Sequence, residues 1–188
     1  MRISLLSLLL STAALTPACS QSHADQAKTV AAVPTGPKGA AVTTGKYPEA
    51  QPVKGKPGEF PVVKTDAEWK KELTSPQYYI LREQGTERPF SSKLNDNDAV
   101  GDYYCAADHN LLFSSATKFH SGTGWPSFFA PATAASLKVK SDDSFGMSRD
   151  EIVCAKCGGH LGHVFNDGPK PTGLRYCMDG DALTFEKK

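Results

Sequence analysis

Beyond Gly85 the chain loses helical periodicity. Short alternating or apolar runs replace it around Tyr103-Tyr104, Leu111-Phe113, Leu137-Val139, Ile152-Val153, His163-Phe165, Leu174-Tyr176 and Leu183-Phe185, separated by clusters of Gly, Pro, Asp and Asn. Runs this short, bounded by turn formers, are the signature of antiparallel strands. Helix signals stand only ahead of them. Thr65 and Glu68 form a capping-box pattern before Trp69 and Leu73; Ser75-Pro76 places a capping hydroxyl before a first-turn proline, and Gly85 supplies a stop. The expected fold is mainly β (α+β), with short N-terminal helices.

The chain starts differently. Arg2 is followed by an apolar run from Ile3 to Leu15 and then by small residues ending in Ala18-Cys19, a secretory signal pattern. The run is too short to span a bilayer as a stable helix, and no other stretch approaches that length, so an integral membrane protein is not expected. Leu15-Thr16-Pro17-Ala18 ahead of Cys19 resembles a bacterial lipobox, with its Leu one place further back than usual. Two outcomes stay open: acylation of Cys19 as a lipid anchor, or cleavage after Ser22-His23-Ala24. Neither leaves Cys19 for redox chemistry in the folded domain. The next residues are rich in Ala, Pro, Gly, Thr and Lys without apolar periodicity, which reads as a flexible spacer. The expected organisation is a signal peptide over 1–19, a linker over 20–59 and a folded domain over 60–188, in a protein exported to the periplasm and monomeric there. With 21 Lys and Arg against 20 Asp and Glu, the chain shows no electrostatic footprint for nucleic acid.

Without Cys19, four cysteines remain: Cys105, Cys154, Cys157 and Cys177. Two disulfides are the ordinary reading of an even count in an exported protein. Spacing favours metal instead. Cys154-Ala155-Lys156-Cys157 runs into Gly158-Gly159, the turn context of a metal knuckle, and Cys105 is followed three residues later by Asp108. Three thiolates and a carboxylate can thus converge on one tetrahedral site. A thioredoxin-like site would place its first cysteine at a helix start, whereas strand-like residues follow here. The long separation of Asp108 from Cys154 also exceeds the roughly 15–20 residues of compact zinc ribbons.

Cys177 has no nearby cysteine partner. Alternation along a strand puts Arg175, Cys177 and Asp179 on one face, where a cation lowers and an anion raises the thiol pKa. A lone cysteine is commonly a small buried hydrophobe, yet two charges beside it sit poorly with that role. His160 and His163 supply imidazoles that can move protons near neutral pH, or serve as metal ligands or core residues. The stretch from Ser121 to Phe129 combines glycines with Trp125 and Phe128, either as core or as a cradle for an apolar methyl group.

Taken in order, Gly85-Thr86-Glu87-Arg88-Pro89-Phe90, Thr117-Lys118-Phe119, Gly124-Trp125-Pro126-Ser127-Phe128, His160 to Phe165, and Asp167-Gly168-Pro169 through Thr172-Gly173-Leu174-Arg175-Tyr176-Cys177 resemble the B-type peptide-methionine (R)-S-oxide reductases. The resemblance spans about Ser75 to Phe185. It implies two antiparallel sheets flanked by a few helices. It makes Cys177 the nucleophile on the sulfoxide sulfur, His163 the principal proton donor, His160 a supporting one, Trp125 the wall against the substrate methyl group, and Arg175 a member of the active-site strand. The implied products are methionine and a sulfenic acid on Cys177. It also implies zinc at Cys105, Asp108, Cys154 and Cys157, with no organic cofactor. Three departures accompany it. Many members carry a resolving cysteine where Thr123 stands, which makes an external, thioredoxin-like periplasmic thiol the expected reductant. Asp179 replaces an active-site Asn and should make Cys177 less acidic unless Arg175 or burial compensates. Asp108 replaces one of four zinc cysteines. A cysteine hydrolase using Cys177 and His163, and a non-catalytic zinc-stapled binding module, are the alternative classes.

Overall fold

The computed structural model describes residues 51–52, 59–142 and 149–188. The signal-like segment, Cys19 and nearly all of the spacer lie outside them. Among the described residues no helix is long and apolar enough to cross a membrane.

Helix α1 (Asp66–Glu72) starts on the expected capping box: the Thr65 hydroxyl accepts from the Glu68 amide, and the Glu68 carboxylate accepts from the Thr65 amide at 2.7 Å. Helix α2 (Ser75–Glu83) begins one residue earlier than the Ser75-Pro76 signal suggests, with Thr74 as the cap. The reason is reciprocity. Gln77 reaches back to the Thr74 amide at 3.0 Å, whereas a cap at Ser75 would have Tyr78 in that position. The stop also moves, because Gln84 takes the left-handed conformation at φ 57. Gly85 is needed for a different reason: a Cβ there would lie 2.2 Å from the Tyr79 ring.

All seven expected runs fall on strands. These are β2 (Gly101–Cys105), β3 (Leu111–Ser114), β6 (Leu137–Asp142), β7 (Arg149–Cys154), β8 (His160–Phe165), β9 (Arg175–Met178, one residue after the run begins) and β10 (Leu183–Lys187). Three two-residue strands were not expected: β1 (Gln51–Pro52), β4 (Lys118–Phe119) and β5 (Ser127–Phe128). A pair of residues carries no alternation to read.

The larger sheet has the order β1-β6-β7-β8-β9-β5-β4 and the smaller β10-β2-β3. Pairing is antiparallel in both, except that β1 runs parallel to β6. The mainly β architecture with two sheets and two short helices is therefore as expected. Apolar faces of the sheets meet over Tyr103, Leu112, Phe113, Phe128, Tyr176 and Met178, and Trp69, Ile80 and Leu81 of the helices complete the core. Phe128 joins the sheets directly. Its ring stacks on Phe113 at 4.2 Å and meets Tyr103 edge-on at 4.9 Å, so truncating it would cost about 3–5 kcal/mol.

Candidate active site

Strand β9 lies between β5 and β8, and the register pairs Cys177 with Ser127 on one side and His163 on the other. Tyr176 and Met178 turn into the core, which leaves Arg175, Cys177 and Asp179 on the opposite face. That face is the floor of a cleft of about 760 Å³, lined among others by Trp125, Asp142, Glu151, His160, His163, Cys177 and Asp179.

His160 and His163 are three residues apart, so strict alternation would send them to opposite faces. They nevertheless share the cleft, with ring centroids 5.5 Å apart. The cause is an irregularity in the β7–β8 pairing, where Ile152 faces Gly162 but its neighbour Val153 faces His160. An extra residue of this kind re-aims side chains. Gly162 makes it possible: it sits at φ +144, and a Cβ would lie 2.1 Å from the Cys177 carbonyl oxygen.

Burial pushes the Cys177 thiol above its ordinary pKa; the Thr123 hydroxyl and Arg175 pull it down, Asp179 pushes it up and Ser127 pulls it down. Burial thus adds to the effect of Asp179 rather than offsetting it, and Arg175 compensates only in part. Thr123 Oγ1 lies 3.8 Å from Cys177 Sγ, at the end of a hydroxyl chain in which Ser127 donates to Ser121 at 2.8 Å and Ser121 meets Thr123 at 2.8 Å. Burial lowers the His163 pKa from its ordinary value, while the hydrogen bond with Asp142 raises it and the His160 and Arg149 charges lower it. Its Nε2 lies 3.0 Å from Asp142 Oδ2, and Arg149 donates to the same oxygen at 2.9 Å. A neutral imidazole that donates from Nε2 to this carboxylate keeps Nδ1 as a proton acceptor.

His160 is buried between two carboxylates. Nδ1 lies 2.8 Å from Glu151 Oε1, and Nε2 lies 3.7 Å from Asp179 Oδ2. Burial pushes Asp179 up to about 7, which halves near neutrality the charge expected from replacing an amide. Half-buried Trp125 donates from Nε1 to the Glu87 carbonyl at 3.2 Å. Glu87 in turn donates its amide to Asp179 Oδ1 at 2.9 Å, and its carboxylate accepts from the Gly180 and Asp181 amides at 2.8 and 3.0 Å, tying the aromatic wall to the end of β9.

Of the expected site residues, Phe128 stands elsewhere, and Arg175 stands beside the thiol in the same strand but outside the cleft lining. Phe128 does not reach the cleft, since Ser127 takes the Cys177 side of β5 and alternation drives Phe128 into the core. Arg175 is not among the lining residues: it makes a two-point contact with Asp167 at 2.8 and 2.9 Å, lies 4.3 Å over the Phe165 ring, and acts on Cys177 by charge from the side. Glu87 and Asp167, which lie in the motif runs quoted above without a role of their own, also belong to the site, as do Asp142, Arg149 and Glu151, which were not singled out from sequence. Only Glu151, an acid directly before Ile152-Val153, carried a local signal, because a charge in a buried run needs a partner.

The second cluster is built from two matching turns. In the β2–β3 turn, Cys105 donates its amide to the Asn110 carbonyl at 2.9 Å and His109 donates back to Cys105; in the β7–β8 turn, Cys154 donates to Gly159 at 2.9 Å and Gly158 donates back to Cys154. His109 at φ 56 occupies the left-handed position that Gly158 holds at φ 69. The donor atoms of Cys105, Asp108, Cys154 and Cys157 lie within 4.8 Å of one another, with Cys105 Sγ 3.8 Å from Cys157 Sγ and Cys154 Sγ 3.3 Å from Asp108 Oδ2. Bond lengths of about 2.3 Å to sulfur and 2.0 Å to oxygen give tetrahedral edges of roughly 3.8 and 3.5 Å, so this donor set fits a metal ion of zinc's size.

Fold and site together define a mainly β protein with a thiol on the floor of a cleft and, apart from it, a cluster of three cysteines and an aspartate that could hold a metal ion. The SelR domain family profile matches residues 73–187. Proteins named peptide methionine sulfoxide reductase MsrB are similar over the same region. That of Leptospira interrogans serovar Lai is 55% identical over 129 residues, covering 69% of this chain and 98% of the relative. Those of Methanosarcina barkeri and Thiobacillus denitrificans are each 54% identical over 125 residues, 66% of this chain and 88% and 95% of the relatives. The chain belongs to this SelR-domain family of peptide methionine sulfoxide reductases, and it is an oxidoreductase.

Proposed function

We propose that this enzyme reduces the R epimer of methionine sulfoxide, free or in oxidised proteins, by a one-cysteine route. The observation that carries the reading is the register that sets Cys177 directly opposite His163 on the floor of a cleft walled by Trp125. Cys177 attacks the sulfoxide sulfur, and its thiol proton passes to His163 Nδ1. His163 hands that proton to the departing oxygen, which moves to Sγ. One thiol and one sulfoxide become one sulfenic acid and one thioether, the substrate sulfur gaining the two electrons that Cys177 loses.

Asp142 fixes the His163 ring, Asp167 holds the Arg175 charge beside the thiol, and Trp125 packs against the methyl group. Thr123 cannot resolve a sulfenic acid by disulfide formation, so an external thiol attacks Cys177 and a second thiol releases it. A thioredoxin-like periplasmic protein fits this role. Cys105, Asp108, Cys154 and Cys157 hold zinc, which supplies folding free energy and takes no part in the reduction. We further place the protein in the periplasm as a monomer, exported by residues 1–19 with or without a lipid on Cys19, and spaced by residues 20–59 from a catalytic domain over 60–188.

The test is a stereochemical assay on purified protein with dithiothreitol. Consumption of the R epimer with the S epimer left intact is expected, and a thioester or ester substrate serves as the hydrolase control. Turnover of the S epimer, or of the ester alone, would remove the reading.

A further inference from the structure

Strand pairing places the backbone around Trp125 but not its ring. The Met178 amide donates to the Pro126 carbonyl at 2.9 Å and Ser127 faces Cys177, so this stretch of chain is held to β9. The direction of the indole is set separately, by Nε1 donating to the Glu87 carbonyl at 3.2 Å. Where Glu87 stands therefore decides where the wall of the cleft stands. Glu87 is fixed in turn by an exchange of hydrogen bonds with the end of β9. The 3-10 helix Gly180–Ala182 follows that strand with Asp179 in its capping position, yet the Asp179 side chain does not cap it. Asp179 Oδ1 accepts the Glu87 amide at 2.9 Å instead, and the Glu87 carboxylate accepts the Gly180 and Asp181 amides at 2.8 and 3.0 Å. This is the reciprocity of a capping box, spread over two distant segments. Gly180 permits the approach, since a Cβ there would lie 2.0 Å from Ser92 Oγ and 3.2 Å from Glu87 Oε1. Further along, Phe90 at φ 64 donates its amide to the Gly124 carbonyl at 2.7 Å, so residues 87–90 grip both the main chain and the ring of the wall.

We propose that Glu87 is a positioning residue for substrate recognition: its carboxylate locks residues 87–90 onto the end of β9 and so holds the Trp125 ring at the angle that receives the substrate methyl group. This rests on the reading of Trp125 as the wall against that group. Glu87 is not among the residues lining the cleft, so it acts through Trp125. A methyl contact is made in the bound substrate and in the transition state alike, so loosening the ring weakens binding more than it slows turnover. Cys177 and His163 face each other through the β8–β9 register, which does not involve Glu87.

Glu87→Ala and Glu87→Gln should be compared with the wild type as full-length proteins. In steady-state reduction of methionine (R)-sulfoxide with dithiothreitol, Glu87→Ala should raise KM about tenfold and leave kcat within about threefold. By NMR without substrate, the Trp125 indole N–H, assigned against Trp125→Phe, should exchange with solvent at least about tenfold faster in Glu87→Ala. Glu87→Gln keeps an acceptor for the Gly180 amide and should recover part of both effects. Should Glu87→Ala not fold, the same pairing of effects read in Glu87→Gln decides. A raised KM without faster indole exchange, faster exchange with a wild-type KM, a fall in kcat alone, or no change in either measurement would overturn the proposal. A wild type that reduces no sulfoxide would instead overturn the parent reading of the site, which the exchange measurement does not touch.

Discussion

At the residue scale the proposed chemistry turns on a thiol whose pKa burial raises. Because burial raises Cys177, alkylation by iodoacetamide should climb with pH through and beyond the ordinary thiol range of about 8.5. Thr123→Val removes the hydroxyl that favours the thiolate, so alkylation at pH 8 should slow roughly two- to tenfold, the value of one hydrogen bond, in stopped-time mass analysis. Cys177→Ser should lose turnover while remaining folded, and His163→Ala should slow turnover by about 10²–10⁴ without abolishing it. On the one-cysteine route proposed above, Thr123 also decides how the enzyme is regenerated. After one turnover without reductant, dimedone should label Cys177 almost completely. In Thr123→Cys the introduced sulfur stands where a hydroxyl now lies 3.8 Å from Sγ, so a disulfide between it and Cys177 should form and the label should vanish. Labelling of Thr123→Cys at the wild-type level would mean that the backbone cannot close this bond.

At the scale of strands and turns, Gly162 is the position on which the two histidines depend. Gly162→Ala forces a side chain into a left-handed backbone and against the Cys177 carbonyl, a strain of about 1–3 kcal/mol that relaxes only if β8 and β9 separate. A lower melting temperature together with a fall in kcat greater than that of His160→Ala alone is the expected result; wild-type kcat would show that the bulge does not set the histidines. This irregularity was illegible in the sequence, because alternation gives a strand its faces but not the place where the pattern slips. The same limit explains Phe128, whose strand is too short to announce which residue faces the core. Long strands were readable from their periods, and the charges at spacing two set Cys177 apart from an ordinary buried cysteine, while its role was implied only by the family resemblance. Asp142 and Arg149 were not, since their partners are made by pairing between strands and not by local spacing. The helix ends shifted by one residue for a comparable reason: capping depends on which side chain can reach back.

For the whole molecule, the cysteine-rich turns matter through where they sit. One joins β2 to β3 in the smaller sheet and the other joins β7 to β8 in the larger, so a metal held by both links the sheets at one end of the core. Cys157 stands three residues before His160, which makes this link the anchor of the strand that carries both histidines. Three buried thiols and a partly buried carboxylate within 4.8 Å would repel one another as anions without a cation, so metal removal should unbalance the fold. Chelation of purified protein should lower the melting temperature by about 10 °C or more and reduce turnover in parallel, with zinc re-addition restoring both. Asp108→Ala should lose metal during purification. Asp108→Cys, which offers a softer fourth donor in place of oxygen, should retain it against a higher chelator concentration than the wild type does. Elemental analysis of the three proteins measures this order directly, and equal zinc retention by Asp108→Ala and the wild type would remove Asp108 from the ligand set.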